Sequence, residues 1–261
     1  MSSPEPRVRI GAQIQPHHQP YDAMRRAWRH AEQLGIDTLF TWDHLFPRFG
    51  DPDGPSFEGW TSLAAMAEVT ERVEIGVLVT AVSFRNPNLL ADMARTVDHA
   101  SGGRLILGIG AGGFELDYEQ SGYPATSAKE RLAELEESLP TIRRRVATRR
   151  PSPVRGTIPI LVGGVGERVT LRIVAQYADI WNAQGEPEEL ARLNGVLNDW
   201  CGEVGRDPDE IERSVLLIQP RQVERADDYL AAGFTHLIYS VRAAENDFSP
   251  VEALLSWRSA R

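Results

Sequence analysis

The chain has 261 residues, of which 42% are hydrophobic and 25% charged, with a net charge of −9 and a single cysteine, Cys201. That length suits one (β/α)8 domain, the acidity argues against a basic nucleic-acid-binding face, and the lone cysteine excludes a disulfide scaffold or a Cys-based metal site. The longest apolar runs, near Ile75–Phe84 and Leu105–Phe114, are about half of what a membrane span needs. The start MSSPEPRVRI has no apolar leader core, so a cytoplasmic protein without a membrane partner is expected.

One unit recurs along the chain: an apolar run, a polar turn and an amphipathic helix. Strands are predicted over Val8–Gln15, Thr38–Trp42, Val73–Ala81, Leu105–Gly110, Ile158–Val162, Ile180–Ala183, Val215–Gln219 and His236–Val241. Helices are predicted over Tyr21–Leu34, Trp60–Thr70, Leu89–Ala100, Ala128–Ala147, Glu167–Tyr177, Glu188–Val204, Arg221–Ala232 and Pro250–Trp257. Several strands are apolar at consecutive positions, as strands covered on both faces are. Eight alternating pairs are the count of a TIM barrel, with a doubly wound open sheet as the rival. No composition break divides residues 1–261, which read as one domain. Residues 148–157, TRRPSPVRGT, form a proline-broken basic linker. The long loop Asp43–Trp60, carrying Phe46, Phe49, Phe57 and Trp60, is the candidate lid, with aromatics that equally suit packing on the outer core.

In a barrel, polar residues at strand C-termini face the active site. Trp42-Asp43-His44 closes the second strand, where His44 can exchange a proton and Asp43 can fix its tautomer or bind a ligand edge. The alternative is an Asp/His pair that caps the loop. Arg85 either holds an anion or pairs with a carboxylate. Ser101-Gly102-Gly103-Arg104 precedes the fourth strand and reads as a structural turn at the barrel bottom. Gly108–Gly113 ends the same strand on the active face, where glycines admit a flat ligand. Glu115, Asp117 and Glu119 follow in a loop, each a candidate acid or base and each equally a solvated carboxylate. Of His17 and His18, only one can enter the site, because neighbouring side chains in extended chain diverge. No metal-ligand spacing occurs, nor does a G-x-G-x-x-G after the first strand or a G-x-S-x-G elbow.

Pro159–Asn182, PILVGGVGERVTLRIVAQYADIWN, reads as strand, glycine turn, helix and strand. A glycine turn feeding a helix N-terminus offers unpaired N–H groups to an anion.

Taken together, WDH at 42–44, GVLVTAVSFRNPNLLADMARTVDHASGGRLILGIGAGG at 76–113, GYP at 122–124 and ILVGGVGERVTLRIVAQYADIWN at 160–182 resemble the luciferase-like monooxygenase superfamily, in particular its F420-dependent oxidoreductases. The resemblance runs over about residues 8–183. It implies a TIM barrel with an F420 or FMN ring in its mouth, Asp43 and His44 beside the ring, and a non-prolyl cis peptide within Thr80, Ala81 and Val82. Gly110, Ala111, Gly112 and Gly113 would lie along the ribityl chain. Gly163, Gly164, Val165, Gly166 and Arg168 would hold the phosphate, with Trp181 and Asn182 near the ring.

The activity so implied is hydride transfer between F420 and a small organic substrate, with His44 as acid/base, Asp43 supporting it and Glu115 as alternate. An FMN-dependent monooxygenase served by a flavin reductase, or a non-catalytic flavin-binding barrel, are the other readings. A homodimer is also implied. Two departures stand out: residues 148–157 replace a longer segment that helps cover the pocket in relatives, and Gly113-Phe114 occupy the place where some F420 enzymes carry a catalytic Glu.

Overall fold

The computed structural model describes residues 7–242 and 247–261. Residues 1–6, included above in the reading of the N-terminus, lie outside the described residues. Eight parallel strands form the sheet: β1 (Arg9–Ile14), β2 (Thr38–Thr41), β3 (Glu74–Val77, resumed at Thr80–Ala81), β4 (Leu105–Gly110), β5 (Ile160–Gly163), β6 (Ile180–Ala183), β7 (Glu212–Leu217) and β8 (His236–Val241). Their order is β3-β2-β1-β8-β7-β6-β5-β4, and β4 pairs back onto β3. The sheet therefore closes, which decides for the TIM barrel over the open sheet.

Ten helices are described: α1 (Tyr21–Gln33), α2 (Gly59–Val69), α3 (Pro87–Ala100), α4 (Glu115–Ser121), α5 (Ala128–Thr148), α6 (Thr170–Tyr177), α7 (Pro187–Val204), α8 (Pro220–Val223), α9 (Ala226–Ala231) and α10 (Ser249–Ser259). None is long and apolar enough to cross a membrane. Alternation along each strand splits the apolar side chains in two. One set, including Ile10, Leu39, Ile75 and Leu107, packs under the helices. The other, with Phe40, Leu78, Ile106, Leu161, Ile180, Leu216 and Ile238, fills the barrel. At the floor, Arg9 bonds Glu74 and Glu212, and His236 bonds Thr38 at 2.7 Å.

Three elements differ from expectation. The third strand is not continuous. Ile75 pairs with Leu105, but Thr80 pairs with Ile109, so β3 carries one residue more than β4 between these points. This bulge contains the cis peptide Leu78–Val79, earlier than the expected Thr80–Val82. The alternation of Val73, Ile75, Val77, Val79 and Ala81 conceals it, because it is compatible with a regular strand. β7 begins at Glu212, ahead of the apolar run, because Arg213 is buried with its guanidinium bonded to Asn194, Asn198 and the carbonyls of Pro208 and Ile211. The loop after β4 contains α4, whose Tyr118 packs with Ala81 and Phe84.

The turn before β4 is structural, as expected. Arg104 is buried, and its five N–H groups reach the carbonyls of Ala67, Thr70, Val73 and Ser101 and the Thr70 hydroxyl at 2.6–2.9 Å. It thereby satisfies the frayed C-terminus of α2. Arg104→Met would leave these oxygens unpaired, and is expected to lower unfolding free energy by about 3 kcal/mol in urea titrations.

Candidate active site

A cavity of about 480 Å³ opens at the C-terminal ends of the strands. Of the residues singled out from sequence, Asp43, His44, Ala81, Gly110, Ala111, Gly112, Gly163, Gly164, Val165 and Asn182 line it. The bulge shapes its back wall. It turns Val79 into the mouth, where a Cβ on Gly110 would lie 2.7 Å from Val79 Cγ2 and one on Gly163 would lie 3.1 Å from Val79 Cγ1. These two glycines let Val79 sit between β4 and β5, leaving a side-chain-free wall for a flat ligand.

His44 is held from below. Its Nδ1 donates to Asp117 Oδ2 at 2.7 Å, and Asp117 Oδ1 accepts from the backbone N–H of Leu45 and Phe46 at 2.9 and 3.0 Å. Asp117 is 1% exposed, whereas a quarter of the His44 side chain is open to the cavity. With Nδ1 committed, Nε2 has no hydrogen-bond partner among the described residues and can accept or return a proton. The imidazole edge also meets the Trp42 and Phe114 rings, with centroids 5.2 and 5.4 Å away.

This arrangement corrects two assignments. Asp43 does not support His44. It lines the cavity but is paired with Arg85, whose two terminal nitrogens donate to its oxygens at 2.5 and 2.9 Å, and Arg85 also donates to Glu58 at 2.5 Å. Burial pushes the Asp43 carboxyl pKa up, and the Arg85 bonds work against that shift. Glu115 is exposed on the first turn of α4 and lies outside the cavity lining. The acid that reaches the site is Asp117, two residues on, which sequence reasoning had only among several loop carboxylates.

Further expected contacts are absent. Thr80 and Val82 are buried off the cavity, Thr80 accepting from Trp60 Nε1 at 2.6 Å. Trp181 alternates outward into the core against Phe234, leaving only Asn182 facing in. Arg48, Phe114, Thr170 and Gln184 line the cavity without having been singled out for it.

The turn between β5 and α6 keeps its anion-binding character. Gly164 adopts φ +135°, and its N–H and C=O are satisfied by Asn182 O and Trp181 Nε1. The next N–H groups, of Val165, Gly166, Glu167 and Arg168, have no partner among the described residues. Gly166 and Arg168 flank the cavity rather than line it, and Arg168 is exposed with no hydrogen bond or ion pair. Unpaired amides ahead of a helix suit a phosphate, and the glycine wall beside them suits the ring it would tether.

His17 and His18 serve the long loop. Trp42 Nε1 donates to His17 Nε2 at 3.1 Å, and His18 Nε2 donates to Phe49 O at 2.7 Å. The linker at 148–157 is tied to α3, with His99 Nε2 donating to Ser152 O and Val154 N to Asp98 Oδ2.

The family model described as luciferase-like monooxygenase matches residues 5–220, well over half of the chain. The chain belongs to the luciferase-like monooxygenase family. Over 126 residues it is 38% identical to the F420-dependent glucose-6-phosphate dehydrogenase of Amycolatopsis mediterranei, covering 48% of this chain and 37% of that protein. The matched stretch thus spans little more than a third of that relative's length. An uncharacterized protein of Mycobacterium tuberculosis is 25% identical over 262 residues, covering 87% of this chain and 91% of its own length. Among solved structures, this family member superposes on an F420-dependent secondary alcohol dehydrogenase in complex with an F420–acetone adduct. The TM-score is 0.83 at 15% identity, over 96% of this chain and 98% of the other. The coenzyme F420-dependent tetrahydromethanopterin reductase of Methanopyrus kandleri gives 0.76 at 15% identity, over 95% and 97%. These two structures speak for the fold.

Burial lowers the His17 pKa to about 4. The unfolded chain therefore binds the extra proton first as pH falls from 6.5, and stability is lost across that window down to about 4. Urea titrations at pH 7 and 4.5 are expected to show wild type losing about 2–3 kcal/mol more than His17→Gln.

Proposed function

We propose that this luciferase-like family member is an F420-dependent oxidoreductase that moves hydride between the deazaflavin and a small organic substrate. The observation that carries the reading is the His44–Asp117 pair, with Nε2 open to a cavity walled by Gly110 and Gly163. The names of the Amycolatopsis relative and of the two superposed structures support F420 as the cofactor.

When bound, F420 supplies the hydride-accepting and hydride-donating carbon of its central ring. The chain's residues do the rest. The N–H groups of Val165–Arg168 would hold its phosphate, and Val79, between Gly110 and Gly163, would back its ring. Asp117 accepts the Nδ1–H of His44, so Nε2 presents a lone pair to the substrate. In the oxidising direction Nε2 takes the hydroxyl proton as the carbon-bound hydrogen leaves with its electron pair. In the reducing direction the imidazolium returns that proton to the carbonyl oxygen. Asp117 stabilises the imidazolium between the two.

Fluorescence titration of the purified protein with F420 and with FMN tests the cofactor. Saturable binding of F420 without FMN is expected, and binding of FMN alone would replace this reading by the monooxygenase one. His44→Ala is expected to keep F420 affinity while lowering kcat by about 10²–10⁴-fold. Unchanged turnover in that variant would remove His44 from the mechanism.

A further inference from the structure

Four ionisable side chains line the cavity: Asp43, His44, Arg48 and Asp117. Three are committed within the protein. Asp43 is bonded to Arg85, and Asp117 to His44 and two backbone amides. Arg48 is different. It has no ion pair or hydrogen bond among the described residues, and its one contact is the Phe114 ring, whose centroid lies 5.2 Å from the guanidinium carbon. A ring contact uses none of the five N–H groups of the guanidinium, and Arg48 lines the cavity.

The position is fixed although the side chain is exposed. Leu45 and Phe46 are anchored to Asp117, Pro47 is buried, and the Phe49 carbonyl is held by His18. Arg48 stands four residues after His44 on this anchored strip of chain. Phe114 touches both, with its ring 5.4 Å from the imidazole. A cation thus sits two ring contacts from the proton-transfer atom, in a cavity whose carboxylates are already hydrogen-bonded within the protein.

We propose that Arg48 is a specificity-determining residue that binds an anionic group of the substrate, a carboxylate or a phosphate ester, while the reacting carbon lies beside His44. The proposal rests on the reading of this cavity as the substrate site. The turn at Val165–Arg168 and the Arg48 site are then two separate anion sites, one for the cofactor phosphate and one for the substrate.

Titration calorimetry with sodium phosphate and with sodium acetate tests this, on the protein alone and on protein saturated with F420. Wild type, Arg48→Gln and Arg48→Lys are compared, with melting temperatures confirming that all three are folded. Saturable binding of at least one anion to the F420-saturated wild type is expected, weakened about tenfold or more in Arg48→Gln and partly restored in Arg48→Lys. Acetate binding identifies a carboxylate substrate, and phosphate binding without acetate a phosphate ester. Binding of neither anion overturns the proposal, as does equal binding in Arg48→Gln. So does phosphate binding that is abolished by F420, because it then reports the glycine turn. If F420 itself fails to bind, the proposed function falls, while the Arg48 dependence of anion binding to the free protein remains readable.

Discussion

The site depends on one buried carboxylate. Asp117 accepts three hydrogen bonds, from the His44 ring and from the amides of Leu45 and Phe46, in surroundings where it is 1% exposed. A buried carboxylate without partners is costly, so these bonds form together. The same bonds set the His44 tautomer, aim its free nitrogen and fix the start of the loop that follows β2. Asp117 is itself placed by α4, whose Tyr118 packs on Ala81 and Phe84 and bonds Ser83 at 2.8 Å. The proton-transfer group is therefore referenced to the ends of both β2 and β3.

This changes the meaning of the Asp43–Trp60 loop. Its aromatic content suggests a lid, yet its residues are mostly tied down. Trp60 is buried on Thr80, Phe57 packs against the core, and His17 bridges to Ser56. Glu58 caps α2 through the amides of Trp60 and Thr61 while accepting from Arg85. Arg85 in turn neutralises Asp43. The two acids of the WDH neighbourhood thus divide the labour: Asp43 is a strut that joins β2, α2 and the segment before α3, and Asp117 holds the His44 ring. The loop is a wall of the cavity, with Phe49 the aromatic most open to solvent.

How far the sequence discloses this follows from periodicity. Strand and helix periods, with glycine stops at positions such as Gly35 and Gly233, identify the barrel and place His44 and the β5–α6 turn on its active face. The bulge at Leu78–Val79 has no such signature, since Val73, Ile75, Val77, Val79 and Ala81 alternate as in one regular strand. The choice among Glu115, Asp117 and Glu119 is hidden for a related reason. On a helix, residues two apart point about 200° away from one another, so only a known helix start tells which carboxylate turns inward. Asp43, adjacent to His44 in sequence, is likewise separated from it in space, because neighbours at a strand end diverge and the buried one meets Arg85. Arg85 carries the cue: a guanidinium that pairs with Asp43 leaves the His44 ring to a different acid.

Charge placement links these features. The chain carries a net charge of −9, which disfavours anions at long range. At physiological ionic strength that field is screened beyond about 8 Å, so what an entering molecule meets is set by the cavity wall. There, each acid is hydrogen-bonded to an internal partner, while the amides of the β5–α6 turn and the guanidinium of Arg48 have none among the described residues. On the proposed reading, an acidic protein admits an anion here because its cavity carboxylates are held by internal partners while these amides and Arg48 are left open. Glu167, beside that turn, is held in the same way: its carboxylate pairs with Arg192 at 2.8 Å, while its backbone amide has no partner among the described residues.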